Sequence, residues 1–382
     1  MPAVLPQELL DKIIGHLDRP SLRACSLVSS PFRIPTQRLV FQSLVIPYID
    51  SPKAESLLTE SAHISGYVRD LQIELVPFLS FHNQSIASIL SILYRVERMS
   101  IQGRDTSWDD MPYRLQTAIQ NFVGLPSLHS LNLSHIQYIP SSFIFRALSS
   151  LRNFNMYNIG MDPSENSSVA LVLHSSSFIP RTEQIIMSST FPHDIPRILD
   201  FILHPRTPGY LDNIRRLVVG FSPQTHVQSK RLIVGTSGTL RYLQIRCGVF
   251  RVPVDLPHLP ALRTLELKIH LGESEHFPTS LGETIATFPA AIPSIEVVNL
   301  VFYRTDWRRW RDDEGGPFPV FDVYLEKLPK LCRVVCHLSL AYPESSATGF
   351  FACIRRRFPA LQEAKILALS RGSDEQTSRW FP

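Results

Sequence analysis

Apolar residues recur at two different periods along this chain, and the change of period divides it. Near the N-terminus Leu5, Leu9, Leu10, Ile13, Ile14 and Leu17 fall three and four residues apart, the spacing that lines one face of a helix. Asp18-Arg19-Pro20 breaks the run, because proline clashes with the preceding turn and restricts the residue before it. A helical period resumes through Leu22, Cys25 and Val28. Short helices over residues 1–45 hold more apolar side chains than so small a bundle buries, and a surplus apolar face predicts a partner protein.

From about residue 68 a different phrase repeats: an apolar residue, two variable ones, an apolar one, one variable, and another apolar one. Clear copies start at Leu128, Leu240 and Leu262; weaker ones start at Val68, Val96, Leu151, Ile214, Ile295, Leu331 and Leu361, with a further one around Glu183–Met187. Neighbouring starts lie 23 residues apart from Leu128 to Leu151 and 22 apart from Leu240 to Leu262. Alternation in the second half of the phrase is the period of a strand. One such strand cannot bury its apolar side alone, whereas stacked copies form a continuous core beneath a parallel sheet. Between phrases, Ile86, Ile89, Leu90 and Leu93, and again Phe143, Ile144, Ala147 and Leu148, keep helical spacing. Prolines at 126, 260, 329 and 359 punctuate the passage into a phrase. A doubly wound sheet would also alternate strands and helices, but its strands read as apolar runs because both faces are covered. The polar residues at Asn132, Asn155, Gln244, Glu266 and Asn299 favour a sheet with one open face.

The spacing assigns phrase positions one, four and six to the core and three, five and seven to that open face. The latter are Ser130, Asn132 and Ser134; Asn153, Asn155 and Tyr157; Tyr242, Gln244 and Arg246; Thr264, Glu266 and Lys268; and Arg333, Val335 and His337. Asn132, Asn155, Tyr157, Tyr242, Gln244, Arg246, Glu266, Lys268, Arg333 and His337 are therefore the candidate substrate contacts.

Composition narrows the function. The 382 residues carry 38 basic and 34 acidic side chains, a near balance that gives no reason to expect nucleic acid. No apolar stretch approaches the length of a membrane span, and no basic segment precedes an apolar run as in a secretory signal. Five scattered cysteines suit a reducing compartment, the cytosol or nucleus. Chemistry is sparse. Cys332, Cys336 and His337 cluster, but alternation sends Cys336 and His337 to opposite faces, so they cannot converge on a metal. Val234–Thr239 lacks the lysine and further glycines of a phosphate loop. Arg304 and Trp307–Arg311 mix guanidinium groups with indoles, beside Asp312-Asp313-Glu314 that offset the charge. Arg355–Arg357 suit a helix C-terminus. Cys353, beside those arginines, falls among Phe350, Phe351 and Ile354 and reads as a packed helix residue. No catalytic residue, metal or cofactor is expected.

The N-terminal residues also carry a resemblance. Leu5-Pro6, Glu8-Leu9-Leu10, Ile13-Ile14, His16-Leu17, Ser21-Leu22 and Cys25–Ser29 follow one another as in an F-box, and Arg38–Phe41 is similar to that module's exit helix. Where the family usually has a basic residue and a tryptophan, this chain has Ser30, Pro31 and Phe32. An F-box ahead of irregular repeats resembles the F-box proteins with degenerate leucine-rich repeats of mushroom-forming fungi. The resemblance implies an α/β fold: a helical F-box module over 1–45, a connecting segment over 46–67, a curved leucine-rich-repeat solenoid over 68–375 with its parallel sheet concave and helices convex, and a tail over 376–382. It implies a substrate-recognition subunit of an SCF-type ubiquitin ligase, with a Skp-type adaptor, a cullin scaffold and a protein substrate as partners, and neither membrane nor nucleic acid. Leu5, Pro6, Ile13, Leu17, Leu22, Leu27, Val28 and Phe32 would contact the adaptor. A second reading stays open, a leucine-rich-repeat interaction scaffold outside any ligase, and the two part on whether the adaptor co-purifies.

Overall fold

Parallel strands alternating with helices dominate the computed structural model, which describes residues 6–76, 80–162, 181–188, 194–203, 211–221, 225–247, 253–270, 279–303, 318–339 and 344–372. The chain divides into two compact units, Met1–Ala170 and Leu171–Pro382.

The first unit opens with three helices, α1 (Gln7–Gly15), α2 (Arg19–Cys25) and α3 (Ser30–Val40). Strands β1 (Ser43–Ile46), β2 (Asp70–Leu75), β3 (Arg98–Ser107), β4 (Ser130–Gln137) and β5 (Asn153–Tyr157) follow, each parallel to the next. The sheet thus begins at Ser43, ahead of the first recognisable phrase. Residues 46–67, expected only to connect, hold the end of β1, a 3₁₀ turn and helices Ser51–Glu60 and Ala62–Ser65. They complete a strand–helix repeat whose strand, Ser-Leu-Val-Ile, is too short to show the phrase.

In the second unit β6 (Gln184–Ser188), β7 (Arg216–Phe221), β8 (Tyr242–Cys247), β9 (Thr264–His270), β10 (Val297–Tyr303), β11 (Arg333–Ser339) and β12 (Leu367–Gly372) also pair in parallel, in chain order. Parallel neighbours need a crossover, and helices supply it, as at His226–Gly235 between β7 and β8 and Phe318–Glu326 between β10 and β11.

Register stacks the phrases. Leu131 lies beside Phe154 and Leu133 beside Met156. In the second unit Leu243, Leu265, Val298 and Val334 form one row, and Ile245, Leu267, Leu300 and Cys336 the next. All of these are buried, so each added rung extends an aliphatic core. Helices cover it: Phe350 of helix Glu344–Arg357 meets Phe302 of β10 edge to face at 5.3 Å. Asp322 tethers two helices, its carboxylate accepting the backbone N–H groups of Ala360 (2.5 Å) and Leu361 (2.9 Å) at the start of Pro359–Glu363. β3 carries a register shift between Gln102 and Thr106, and Gly103 permits it. A Cβ there would stand 2.5 Å from the carbonyl oxygen of His135.

Two expectations need correction. The copy read at Leu361 is displaced by three residues, because Pro359 starts a helix instead of ending one and Lys365 turns with φ 59° before β12 begins at Leu367. The polar sheet face is also less open than alternation suggested. Asn132, Asn155 and Gln244, with Ser130, Ser134 and Val335, are buried. Adjacent parallel strands stand only about 4.8 Å apart, so short side chains are shaded by those of neighbouring rungs.

A candidate adaptor-docking face and a polar sheet face

Helix α1 is apolar on more than one side. Leu10 and Ile14, four apart, are buried, while Leu9 and Ile13, also four apart and rotated by one residue, are 47% and 51% exposed. Asp18 caps α2 by accepting the Ser21 N–H at 3.0 Å, and hydrogen bonding from the Ser21 hydroxyl first and its N–H second holds the carboxyl below the usual carboxylate range. Leu22, buried, joins Leu10 and Ile14 in a small core against which Leu17, Phe32 and Val40 pack. Beyond α2 the chain turns with Leu27 86% and Val28 70% exposed, and α3 leaves Ile34 exposed at 52%.

Pro31 falls in the first turn of α3, where an N–H has no intrahelical acceptor to lose. Pro35 lies inside the helix, and Thr36 beside it returns its hydroxyl to the carbonyls of Phe32 (2.5 Å) and Arg33 (3.0 Å).

The expected adaptor contacts therefore separate. Pro6, Ile13, Leu27 and Val28 are exposed; Leu17 and Phe32 are half-buried against the module's own core; Leu22 belongs to that core and is not a surface contact. Spacing alone could not separate them, since both faces of α1 are aliphatic. Leu5 lies outside the described residues. Leu9 and Ile34 add to the exposed set and were missed, although Leu9 stands four residues before Ile13, the spacing that could have revealed it.

On the second unit's sheet the polar positions form an organised cluster. Tyr242 donates its hydroxyl to Glu266 Oε2 at 2.9 Å, and Gln244 Nε2 donates to Oε1 of the same carboxylate at 2.7 Å. Arg216, not among the expected contacts, lies 4.3 Å from the Tyr242 ring centroid. Burial first, then the Glu266 charge, pushes the Tyr242 hydroxyl well above its ordinary value. Arg246, Lys268 and His337 are half-buried in the next row, and Arg333 is exposed. In the first unit Asn132 donates to Ser100 Oγ at 3.2 Å, and the Tyr157 ring meets His135 edge to face. The expected substrate contacts thus fall into a connected set around Glu266 and a separate, mostly buried set on β4 and β5.

His337 and Cys336 occupy opposite faces, as alternation requires. Cys336 is fully buried, which pushes its thiol far up, and among the described residues no group of three or more His, Cys, Asp or Glu could hold a metal ion. Cys353 is buried in helix Glu344–Arg357, while Arg355–Arg357 close its last turn. Val234 and Gly235 end a helix and continue into a turn. The Cys247 side chain and the Arg304–Glu314 stretch lie outside the described residues. Among the described residues no helix is long and apolar enough to cross a membrane.

Desolvation lowers the pKa of His337, helped by Arg333 and opposed by Glu266. The folded chain therefore binds this proton less readily than the unfolded chain does. Its contribution to stability is complete above the ordinary histidine value of about 6.5 and is lost as pH falls from there through the lowered folded value. Thermal melts from neutral to mildly acidic pH are expected to show a shallower acid loss for His337→Gln than for the unmodified chain. Equal slopes would contradict this placement of the ring.

Residues 4–34 match the F-box domain family model. The match spans α1, α2 and the start of α3, and it includes Leu9, Ile13, Leu27, Val28 and Ile34. No curated protein is similar enough to the chain to match it.

Proposed function

We propose that this chain is the substrate-recognition subunit of an SCF-type ubiquitin ligase. The F-box face docks a Skp-type adaptor and, through it, a cullin scaffold. The stacked strand–helix units, leucine-rich repeats in kind, hold a protein substrate on their polar sheet face. The observation that carries this reading is the coincidence of the F-box match at 4–34 with exposed apolar side chains at Leu9, Ile13, Leu27, Val28 and Ile34, outside the module's own core.

The mechanism is proximity. Holding two partners on one chain turns a bimolecular encounter into one governed by effective concentration. An F-box is an adaptor-binding module, and ubiquitin transfer belongs to a separate enzyme of the complex. The five scattered cysteines of the sequence suit the reducing cytosol or nucleus. Pro31 lies in the first turn of α3, where it does not interrupt the helix, and the alternative of an interaction scaffold outside any ligase is decided by adaptor co-purification.

Co-expression of the full chain with a Skp-type adaptor tests the proposal. A stable complex by size-exclusion chromatography that also retains a cullin is the expected result. A folded chain that elutes without adaptor would refute the ligase role and favour the scaffold.

A further inference from the structure

Arginine carries most of the positive charge on this chain. Of the 38 basic side chains only seven are lysine, and residues 54–229 hold twelve arginines and no lysine. In places the structure needs the guanidinium. Arg98 reaches both carboxylate oxygens of Asp70 through Nε and Nη2, and Arg104 pairs with Glu74 at 2.5 Å. Arg69 meets Glu97 at 3.3 Å while donating to the carbonyls of Gly66 (3.0 Å) and Val68 (3.2 Å). A planar fork makes such bonds, and a lysine ammonium does not replace it. Elsewhere on the first unit the fork is not needed. Arg95 in the segment before β3, Arg114 in helix Tyr113–Val123 and Arg146 in helix Ser141–Ser150 are exposed, and among the described residues none of them forms an ion pair. Arg95 lies over the Tyr94 ring at 5.6 Å, a contact that a lysine also makes. At these positions the two residues supply the same charge, and they form helices about equally well. Reactivity separates them. A lysine amine can lose its proton and act as a nucleophile, whereas a guanidinium stays protonated.

We infer that these arginines keep the first unit's surface from accepting ubiquitin, so that the ligase modifies the bound substrate and spares its receptor. The inference rests on the ligase reading. In that reaction a lysine ε-amine attacks the thioester carbonyl that joins ubiquitin to the cysteine of the conjugating enzyme. An isopeptide bond forms, the C–S bond breaks, the thiol leaves, and the amine proton passes to solvent. Tethering gives the receptor the same raised effective concentration as its substrate, so every exposed lysine on it competes for transfer. The first unit presents two, Lys12 and Lys53. Lys12 stands beside Ile13 on the docking helix α1, and Lys53 pairs with Asp50 at 3.1 Å. Arginine at the other exposed cationic positions keeps the charge and withholds the amine.

Reconstitution of the full chain with a Skp-type adaptor, a cullin scaffold, a charged conjugating enzyme and ubiquitin, without substrate, tests this. Conjugates on the first unit, Met1–Ala170, are mapped by mass spectrometry and followed in time. Arg95→Lys, Arg114→Lys and Arg146→Lys combined leave the net charge unchanged. This variant is expected to raise the rate of conjugation on the first unit at least about 3-fold, because three exposed acceptors join Lys53. The new conjugates are expected on the introduced lysines, and glutamine at the same three positions leaves the rate as it was. In cells the lysine variant is expected to be shorter-lived, with the difference removed by proteasome inhibition. Introduced lysines that stay bare, or a rate equal to that of the original chain, overturn the inference. Adaptor capture on the same preparation separates it from the ligase reading. A chain that retains adaptor and cullin while its new lysines stay bare defeats this inference alone, and a chain that retains neither defeats the ligase role with it.

Discussion

Replacing Ile13, Leu27 and Val28 together with serine is expected to reduce capture of a Skp-type adaptor at least ~30-fold, the equivalent of about 2 kcal/mol, the scale of an interface hot spot. These side chains are 51%, 86% and 70% exposed, so their loss creates no cavity and the melting temperature should hardly change. Ile14→Ala provides the contrast. That side chain is fully buried beside Leu10 and Leu22, and truncation costs about 2–5 kcal/mol of the helical module's stability. Capture then falls through unfolding, visible as lost helicity by circular dichroism. Calorimetric titration of the adaptor into each variant distinguishes the two routes. A triple variant that is folded and binds with undiminished affinity would remove these positions from the docking face.

The second large effect lies in the other unit. Phe350→Ala is expected to destabilise it by about 3–5 kcal/mol, because the ring is fully buried between helix Glu344–Arg357 and the sheet. Its edge-to-face contact with Phe302 at 5.3 Å is expected to appear as a coupling of about 0.5–1.5 kcal/mol in a double-mutant cycle with Phe302→Ala. Urea denaturation followed by hydrogen exchange over β9–β11 reads both quantities. Since the F-box module carries its own core, adaptor capture should persist in Phe350→Ala under native conditions. A loss of stability below about 1 kcal/mol would show that the helix does not cover the sheet there.

Particular residues show how far the pattern was legible. Leu243 and Leu265 were readable as core because each stands two residues before Ile245 or Leu267, and a strand's two-residue period puts such a pair on one face. β1 was not, since Ser43–Ile46 spans too few residues to display the repeat and is recognised only by its pairing with β2. Arg216 escaped because its phrase, Ile214-Arg215-Arg216-Leu217, gives no hint that the guanidinium folds over Tyr242 of the next strand.

The N-terminal motif was the more legible part, because an F-box is local: its order of apolar residues and breaks sits within one short stretch. Which of those residues face outward was not local. Ile13 and Ile14 are adjacent and chemically equivalent, and only the packing of α1 against α2 and α3 makes one a candidate contact and the other core. The sequence by itself determined the alternation of strand and helix, the aliphatic rows of the core and the helical module in front, since each follows from periods of two and of 3.6 residues along a single segment. Tertiary structure decided the division into two units, the shading of Asn132, Asn155 and Gln244, and the assembly of Arg216, Tyr242, Gln244 and Glu266 into one cluster. Those depend on which strands lie side by side, and neighbours across a parallel sheet are set by the crossovers between them, not by the residues next to them in the chain.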